Sequence, residues 1–296
     1  MWRSRLRRYA LYPLQAALVL VALAAFGALP IDRASALGGW LGRTIGPRLR
    51  VTRVAKRNLR RAFPERSADD IAAIVRGMWA NLGRVAAEYP HLGEIDGYAD
   101  DGRVEVIGGE HVDLVREGGA GGIFFSAHLG NWQVASVGAT QRGVPLTYIY
   151  RAANNPYVES ILHRLRATIG GVHHPKGARG AKQLIAALGR GEHLAMLIDQ
   201  KLNDGIAVPF FGRAAMTAPA LAQLALKFGC PVVPARVERL EGARFRLTVY
   251  PPMELPDSGD RQADVAETMR RVNALLEEWI RARPEQWLWL HNRWPD

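Results

Sequence analysis

The stretch Gly122-Ile123-Phe124-Phe125-Ser126-Ala127-His128-Leu129-Gly130-Asn131-Trp132-Gln133 decides how the rest of the chain reads. Its first five residues form an apolar run of strand length. A turn follows, and Asn131 is suited to cap a helix running toward Gly138. With Leu146–Tyr150 as the next strand, the unit is strand, turn, helix, strand. Working outward, the pattern continues with a helix over about 157–169, a short segment at 172–174, a helix over about 180–188, and a strand over 193–198 that closes on Asp199. Asn203-Asp204-Gly205 reads as a turn. Beyond it come Val208-Pro209-Phe210-Phe211-Gly212-Arg213, a helix over about 218–228, strands near 232–237 and 245–250, and an amphipathic helix over about 263–281. Upstream, Ile71, Ile74, Val75, Met78, Leu82 and Val85 recur at helical spacing within 69–88. Alternation of this kind implies an α/β fold, one sheet with helices on its faces.

The first part of the chain reads differently. Residues 9–31 carry no charge, with only Pro13 and Gln15 interrupting the early part of the run. A membrane-crossing helix needs about 20 apolar residues. Residues 1–32 are therefore expected to form an N-terminal membrane anchor, and 33–296 one globular domain. A cleaved signal peptide is the competing reading, since Ala34-Ser35-Ala36 resembles a cleavage site, but the run exceeds the roughly 7–15 residues of a signal core. Nine Lys or Arg residues lie between Arg33 and Arg61, against four arginines (Arg3, Arg5, Arg7, Arg8) before the run. By the positive-inside rule the body of the protein is cytoplasmic.

The formal net charge of +11 suits an anionic membrane surface, nucleic acid or an acidic carrier protein. The basic residues cluster beside the apolar run and no nucleic-acid module is present, so no nucleic-acid partner is expected. Cys230 is the only cysteine, which excludes an intrachain disulfide, and its apolar setting makes it a small buried hydrophobe.

His128 is the residue with chemistry to offer. A histidine that takes a proton from a hydroxyl needs a carboxylate on its other ring nitrogen, which fixes the tautomer and stabilises the imidazolium. Position 133 has the right reach but carries an amide, Gln133. Backbone N–H groups at the start of the following helix are suited to an oxyanion. The other seven histidines show no zinc-like spacing with Cys or Asp, so no metal is expected. His128, Arg151 and Asp199 each fall at or just past the carboxyl end of an expected strand, where open α/β sheets bind ligands.

These residues carry a family resemblance. His128-Leu129-Gly130-Asn131-Trp132, with an acidic residue at the next position in relatives, resembles the His-x-x-x-x-Asp/Glu motif of glycerolipid-type acyltransferases. Its wording resembles the branch holding the late acyltransferases of lipid A biosynthesis (lauroyl and myristoyl transferases) and the related mycobacterial phosphatidylinositol mannoside acyltransferases. Lys56-Arg57-Asn58-Leu59, Tyr150-Arg151 with Asn154-Asn155-Pro156, Leu197-Ile198-Asp199-Gln200, Val208-Pro209-Phe210-Phe211-Gly212-Arg213 and Pro284-Glu285-Gln286-Trp287-Leu288-Trp289 extend the likeness over nearly the whole chain.

The resemblance implies a single glycerol-3-phosphate-acyltransferase-like domain, a mixed central sheet flanked by helices, at the inner membrane. It implies transfer of a fatty acyl chain from acyl carrier protein or a coenzyme A thioester to a hydroxyl of a membrane glycolipid, foremost a lipid A precursor, without a cofactor. His128 and the residue at position 133 take the catalytic positions. Asn131, Arg151, Asp199 and Gln200 take substrate-binding ones, with Arg151 near a phosphate. Trp287, Trp289 and Trp294 either pack the C-terminal segment or lie at the membrane interface. Gln133 departs from the pattern: transfer is expected to be slow unless another carboxylate substitutes, and a silent lipid-binding relative is the alternative.

Overall fold

The computed structural model describes residues 11–99 and 102–294. Seven strands form the central sheet: β1 (Val104–Ile107), β2 (Gly122–Ser126), β3 (Leu146–Tyr150), β4 (Val172–Pro175), β5 (His193–Leu197), β8 (Val232–Arg239) and β9 (Phe245–Val249), in the order β1-β9-β8-β2-β5-β3-β4. The run β8, β2, β5, β3, β4 is parallel; β9 opposes β8, and β1 runs with β9. The mixed sheet that the family resemblance implies is present.

The central strand β2 is buried along its whole length, as a parallel strand covered on both faces must be. Its alternating side chains feed two cores. Ile123 and Phe125 pack with residues of α8 (Ala178–Gly189), α9 (Ala220–Phe228) and α10 (Arg261–Ala282). Phe124 packs on the opposite face with α5 (Glu110–Glu117) and α6 (Gln133–Gln141). Trp287 and Trp289 have no exposed surface and Trp294 almost none, so the C-terminal tryptophans pack the interior.

One turn lies elsewhere than the sequence suggests. Asn203-Asp204-Gly205 falls inside β6 (Lys201–Phe210), where the pairing with β7 (Arg213–Thr217) shifts register in a bulge. The reversal is made by Phe211 and Gly212, both at positive φ (51° and 67°), as a tight hairpin requires. Phe211 holds that unfavourable backbone because its N–H donates to Glu277 Oε2 at 2.5 Å and its ring packs edge-on against Phe63 and Phe210.

The membrane-crossing anchor is overturned. Among the described residues no helix is long and apolar enough to span a bilayer. The apolar run is cut by Pro30, which lacks an N–H and pushes its predecessor out of the helical region. Within the described residues the helix before it is α1 (Tyr12–Gly27), 16 residues and about 24 Å, short of the required length. α1 also lies against the domain. The Asn155 amide donates to Tyr12 O (2.9 Å) and Gln15 Oε1 (3.1 Å), and His91 Nε2–H donates to Phe26 O (3.0 Å). Arg3, Arg5, Arg7 and Arg8, the expected outer flank, are outside the described residues.

After Pro30 comes α2 (Ile31–Ile45), seated on α4 (Ala68–Glu88) through glycines one turn apart. A Cβ on Gly38 would stand 2.4 Å from Gly83 O, one on Gly42 2.1 Å from Trp79 O, and one on Gly46 2.1 Å from the Trp79 ring. Thr52, at the start of α3 (Thr52–Ala62), pins this crossing: its Oγ1 donates to Gly46 O (2.8 Å) and accepts from Trp79 Nε1 (2.9 Å).

Candidate active site

β2 and β5 are neighbours, with Ser126 opposite Leu197. Two residues beyond each stand His128 and Asp199, so equal overhangs from paired strands carry the two side chains to one place. His128 Nδ1 lies 2.8 Å from Asp199 Oδ1, and the His128 backbone N–H donates to Asp199 Oδ2 at 2.8 Å. A carboxylate only accepts, so Nδ1 carries a proton, and in the neutral ring the lone pair is then on Nε2.

Asp199 has no exposed surface. Burial by itself would raise its carboxyl, but the charge of His128 and the hydrogen bonds it makes outweigh that and hold it well below the usual carboxylate range. The Trp287 indole N–H donates to Oδ2 at 2.7 Å, and His291 Nε2–H donates to the Asp199 carbonyl at 3.2 Å. Burial, first of all, lowers His291 and keeps it neutral. Trp132 presents its ring edge-on to His128, centroids 5.0 Å apart.

Gln133 does something else. Its Nε2 donates to the Tyr89 hydroxyl at 3.2 Å, a phenol kept protonated chiefly by burial. The carboxylate on the histidine therefore comes from Asp199, 71 residues away, and position 133 only lines the cavity beside it. Gln200, next to Asp199, puts its side-chain nitrogen 3.4 Å from His128 Nε2. Arg151, just past β3, lines the same cavity.

Asn131 does not join them. It is 1% exposed, its Nδ2 donates to Glu88 Oε2 at 2.8 Å, and its Oδ1 accepts from Gln133 N at 3.3 Å. Its side chain thus faces the interior and holds the turn. The start of α6 also offers fewer free donors than expected: Gly130 N–H goes to Gln286 O and Val134 N–H to Asn131 O.

Glu88 was not flagged by sequence reasoning. Fully buried, it accepts from Asn131, from Ser35 Oγ (2.6 Å) and from both terminal nitrogens of Arg239 (2.5 and 2.9 Å). Arg239 in turn donates to Asn81 Oδ1 (2.8 Å), and Asn81 Nδ2 donates to Gly130 O (2.9 Å). A carboxylate as the last residue of a helix opposes the helix dipole. That anomaly, at the end of the periodic run 69–88, was the available signal.

A cavity of about 1180 Å³ opens beside His128, larger than most ligand pockets at ~300–1,000 Å³. It reaches both faces of the sheet. On the α6 side Val112, Phe124, Ala139, Leu146 and Leu247 make an apolar wall. His173 stacks there on Tyr148 at 4.6 Å, pushed down to about 4 mainly by burial and so uncharged at neutral pH. On the α8–α9 side the apolar residues Leu184, Met196 and Leu224 are accompanied by the cations Arg151, Lys176, Lys201, Lys227 and Arg261. Among the described residues no three His, Cys, Asp or Glu side chains converge as metal ligands.

The family model for the bacterial lipid A biosynthesis acyltransferase matches residues 3–296. A lipid A biosynthesis acyltransferase of Haemophilus influenzae is 26% identical over 276 residues, covering 88% of this chain and 81% of its own. A lipid A biosynthesis lauroyltransferase of Escherichia coli is 27% identical over 259 residues, 82% of this chain and 79% of its own. A phosphatidylinositol mannoside acyltransferase of Mycolicibacterium smegmatis is 26% identical over 246 residues, 81% and 78%. With a match that takes in both core layers and every residue around His128, the chain belongs to the bacterial lipid A biosynthesis acyltransferase family and is an acyltransferase.

Proposed function

We propose that the protein moves a fatty acyl chain from an acyl carrier protein or coenzyme A thioester to a hydroxyl of a membrane glycolipid, a lipid A precursor, with His128 as general base and Asp199 as its carboxylate partner. The observation that carries this reading is the 2.8 Å contact between His128 Nδ1 and a buried, ionised Asp199. The acceptor O–H proton passes to His128 Nε2 as the oxygen attacks the thioester carbonyl carbon. When the C–S bond breaks, the imidazolium returns the proton to the leaving thiolate. Gln200 lies where its amide can donate to the oxygen that becomes negative. Arg151 and the other cations of the α8–α9 side suit phosphate groups of donor or acceptor. The apolar α6 side suits the acyl chain.

No cofactor takes part in this scheme, and no covalent acyl-enzyme is needed: Ser126 lines the cavity, but the G-x-S-x-G turn that exposes a nucleophilic serine is absent from the sequence. The lipid A acceptor follows the names of the relatives. Their work on membrane lipids, with the basic residues between Arg33 and Arg61, favours a place on the anionic inner-membrane surface. The silent-relative alternative rested on Gln133, and the Asp199 carboxylate on His128 Nδ1 supports the active reading over it.

Labelled acyl-carrier-protein and acyl-coenzyme A donors, each incubated with membrane glycolipid, test the reading. Product is expected from the unaltered chain and its loss from His128→Ala; an undiminished rate in that variant would overturn the assignment. Mass spectrometry of lipid A from cells with and without the gene tests the acceptor, which is wrong if lipid A is unchanged while another lipid loses a chain.

A further inference from the structure

A second concavity of about 600 Å³ lies apart from the His128 cavity, lined by Trp40, Arg43, Thr44, Pro47, Arg48 and Arg76. Three guanidinium groups share it, and among the described residues no carboxylate lines it. Among the described residues Arg43 and Arg76 have neither ion pair nor hydrogen bond, and Arg48 meets only the carbonyl of Thr44. Elsewhere in the chain the arginines at 103, 142, 166, 190, 239 and 246 are each paired with a carboxylate. Three like charges in one concavity raise its potential and attract an anion.

The concavity is fixed by the fold. Arg43 and Arg48 come from α2 and the turn after it, Arg76 from α4, and the two helices cross at the close contacts of Gly42 and Gly46 with Trp79. Side-chain rotation is free, but the backbones that set the three arginines around one point are locked together.

Its surroundings indicate where the anion sits. Trp40 is 60% exposed, and Leu37, Ile45, Leu49 and Val51 are exposed in the same stretch of chain; Leu14, Leu18 and Val21 of the preceding α1 are exposed as well. A soluble anion has no use for such an apolar margin. A lipid headgroup does, because its acyl chains lie beside it, and an aromatic ring with cations at its edge is the composition that segments lying in the bilayer interface show.

We propose that Arg43, Arg48 and Arg76, with Trp40 beside them, form a docking site for the phosphodiester headgroup of an anionic membrane lipid, separate from the catalytic cavity. The guanidinium groups donate to the phosphate oxygens, and Trp40, Leu37 and Ile45 dip into the acyl boundary. The proposal is independent of the acyl-transfer reading.

Sedimentation of the full chain with vesicles of phosphatidylcholine, with and without phosphatidylglycerol, tests it. Each cation at an anionic surface contributes about fivefold in affinity, so Arg43→Ala/Arg48→Ala/Arg76→Ala is expected to lower phosphatidylglycerol-dependent binding on the order of 10²-fold. A charge-matched control, Arg190→Ala/Arg246→Ala/Arg270→Ala, is expected to lose far less, and Trp40→Ala is expected to weaken binding to both kinds of vesicle. Thermal melting of each variant reports folding. Acyl transfer to a detergent-dispersed acceptor is expected to be unchanged in the triple variant, which separates this site from the His128 site. Binding that ignores phosphatidylglycerol, or equal losses in the two triple variants, would overturn the proposal. So would displacement of the protein from vesicles by inorganic phosphate at matched ionic strength, which would make the site one for soluble anions.

Discussion

Asp199 and Glu88 are both carboxylates without exposed surface, and both grip the 128–133 segment, one at His128 and the other at Asn131. Asp199 faces a histidine that lines the cavity, so its charge is available to a group that gains and loses a proton. Glu88 faces Arg239, which does neither, in the interior beneath the turn. On the proposed reading the same chemical group thus serves turnover in one place and position in the other. What separates them is the partner.

Asp199→Asn is expected to have the largest effect. Loss of the acidic partner of a catalytic histidine costs up to about 10⁴ in kcat in a well-known triad, through the wrong tautomer, and a comparable loss is expected here. Steady-state kinetics beside a melting curve check it, and a loss under tenfold would undo the pairing as a catalytic device. The same residue sets a pH dependence. Its folded carboxyl is depressed, so the stability it contributes is complete above the usual value of 3.8 and is lost as pH falls through the folded value. Acid titration of the unaltered chain should show that loss below pH 3.8, and the Asn variant should lack it.

Glu88→Gln is next, and reverses the pattern. It leaves Arg239 buried without its counter-charge, at a cost of about 3–5 kcal/mol in stability. Denaturant unfolding measures this, and kcat of the still-folded fraction should stay near that of the unaltered chain. If kcat collapsed while stability held, the division between the two carboxylates would be wrong.

Trp287→Phe sharpens the comparison from within the site. It removes the indole donor to Asp199 and keeps the aromatic bulk. A hydrogen bond to a charged group is worth about 1.5–3 kcal/mol, so a rate loss of about tenfold or somewhat more is expected, with the carboxyl shifted upward. The smallest effect belongs to Gln133→Glu. The side chain there bonds to Tyr89, so the change should stay within about twofold in kcat, the scale of a substitution outside the critical contacts. A large gain would mean that position 133 reaches the histidine during turnover.

The alternation of strands and helices from Gly122 onward was legible because each element carries its own period, and the strand-end rule placed His128, Arg151 and Asp199 near one crevice. Which of them touch was not legible. That depends on β5 lying beside β2, a matter of strand order that periodicity does not encode. Gln133 misled because a five-residue spacing is visible in the sequence, whereas a partner across a sheet is not. The apolar run 9–31 misled for a related reason: hydropathy counts residues, while Pro30 decides where the helix ends. The glycines at 38, 42 and 46 carried the missing information, since small residues one turn apart mark close helix packing.

The strand register behind the His128–Asp199 pair bears on how this protein tolerates change in length. The two residues meet because each stands two positions past a paired strand end, and the count of residues between them has no part in it. Insertions in the connections at 142–145, 151–155 or 190–192 would leave the pair intact however much they lengthened the chain. One added residue between Ser126 and His128, or between Leu197 and Asp199, would separate it. Natural length variation should therefore be confined to the connecting loops, and the two short overhangs should be constant.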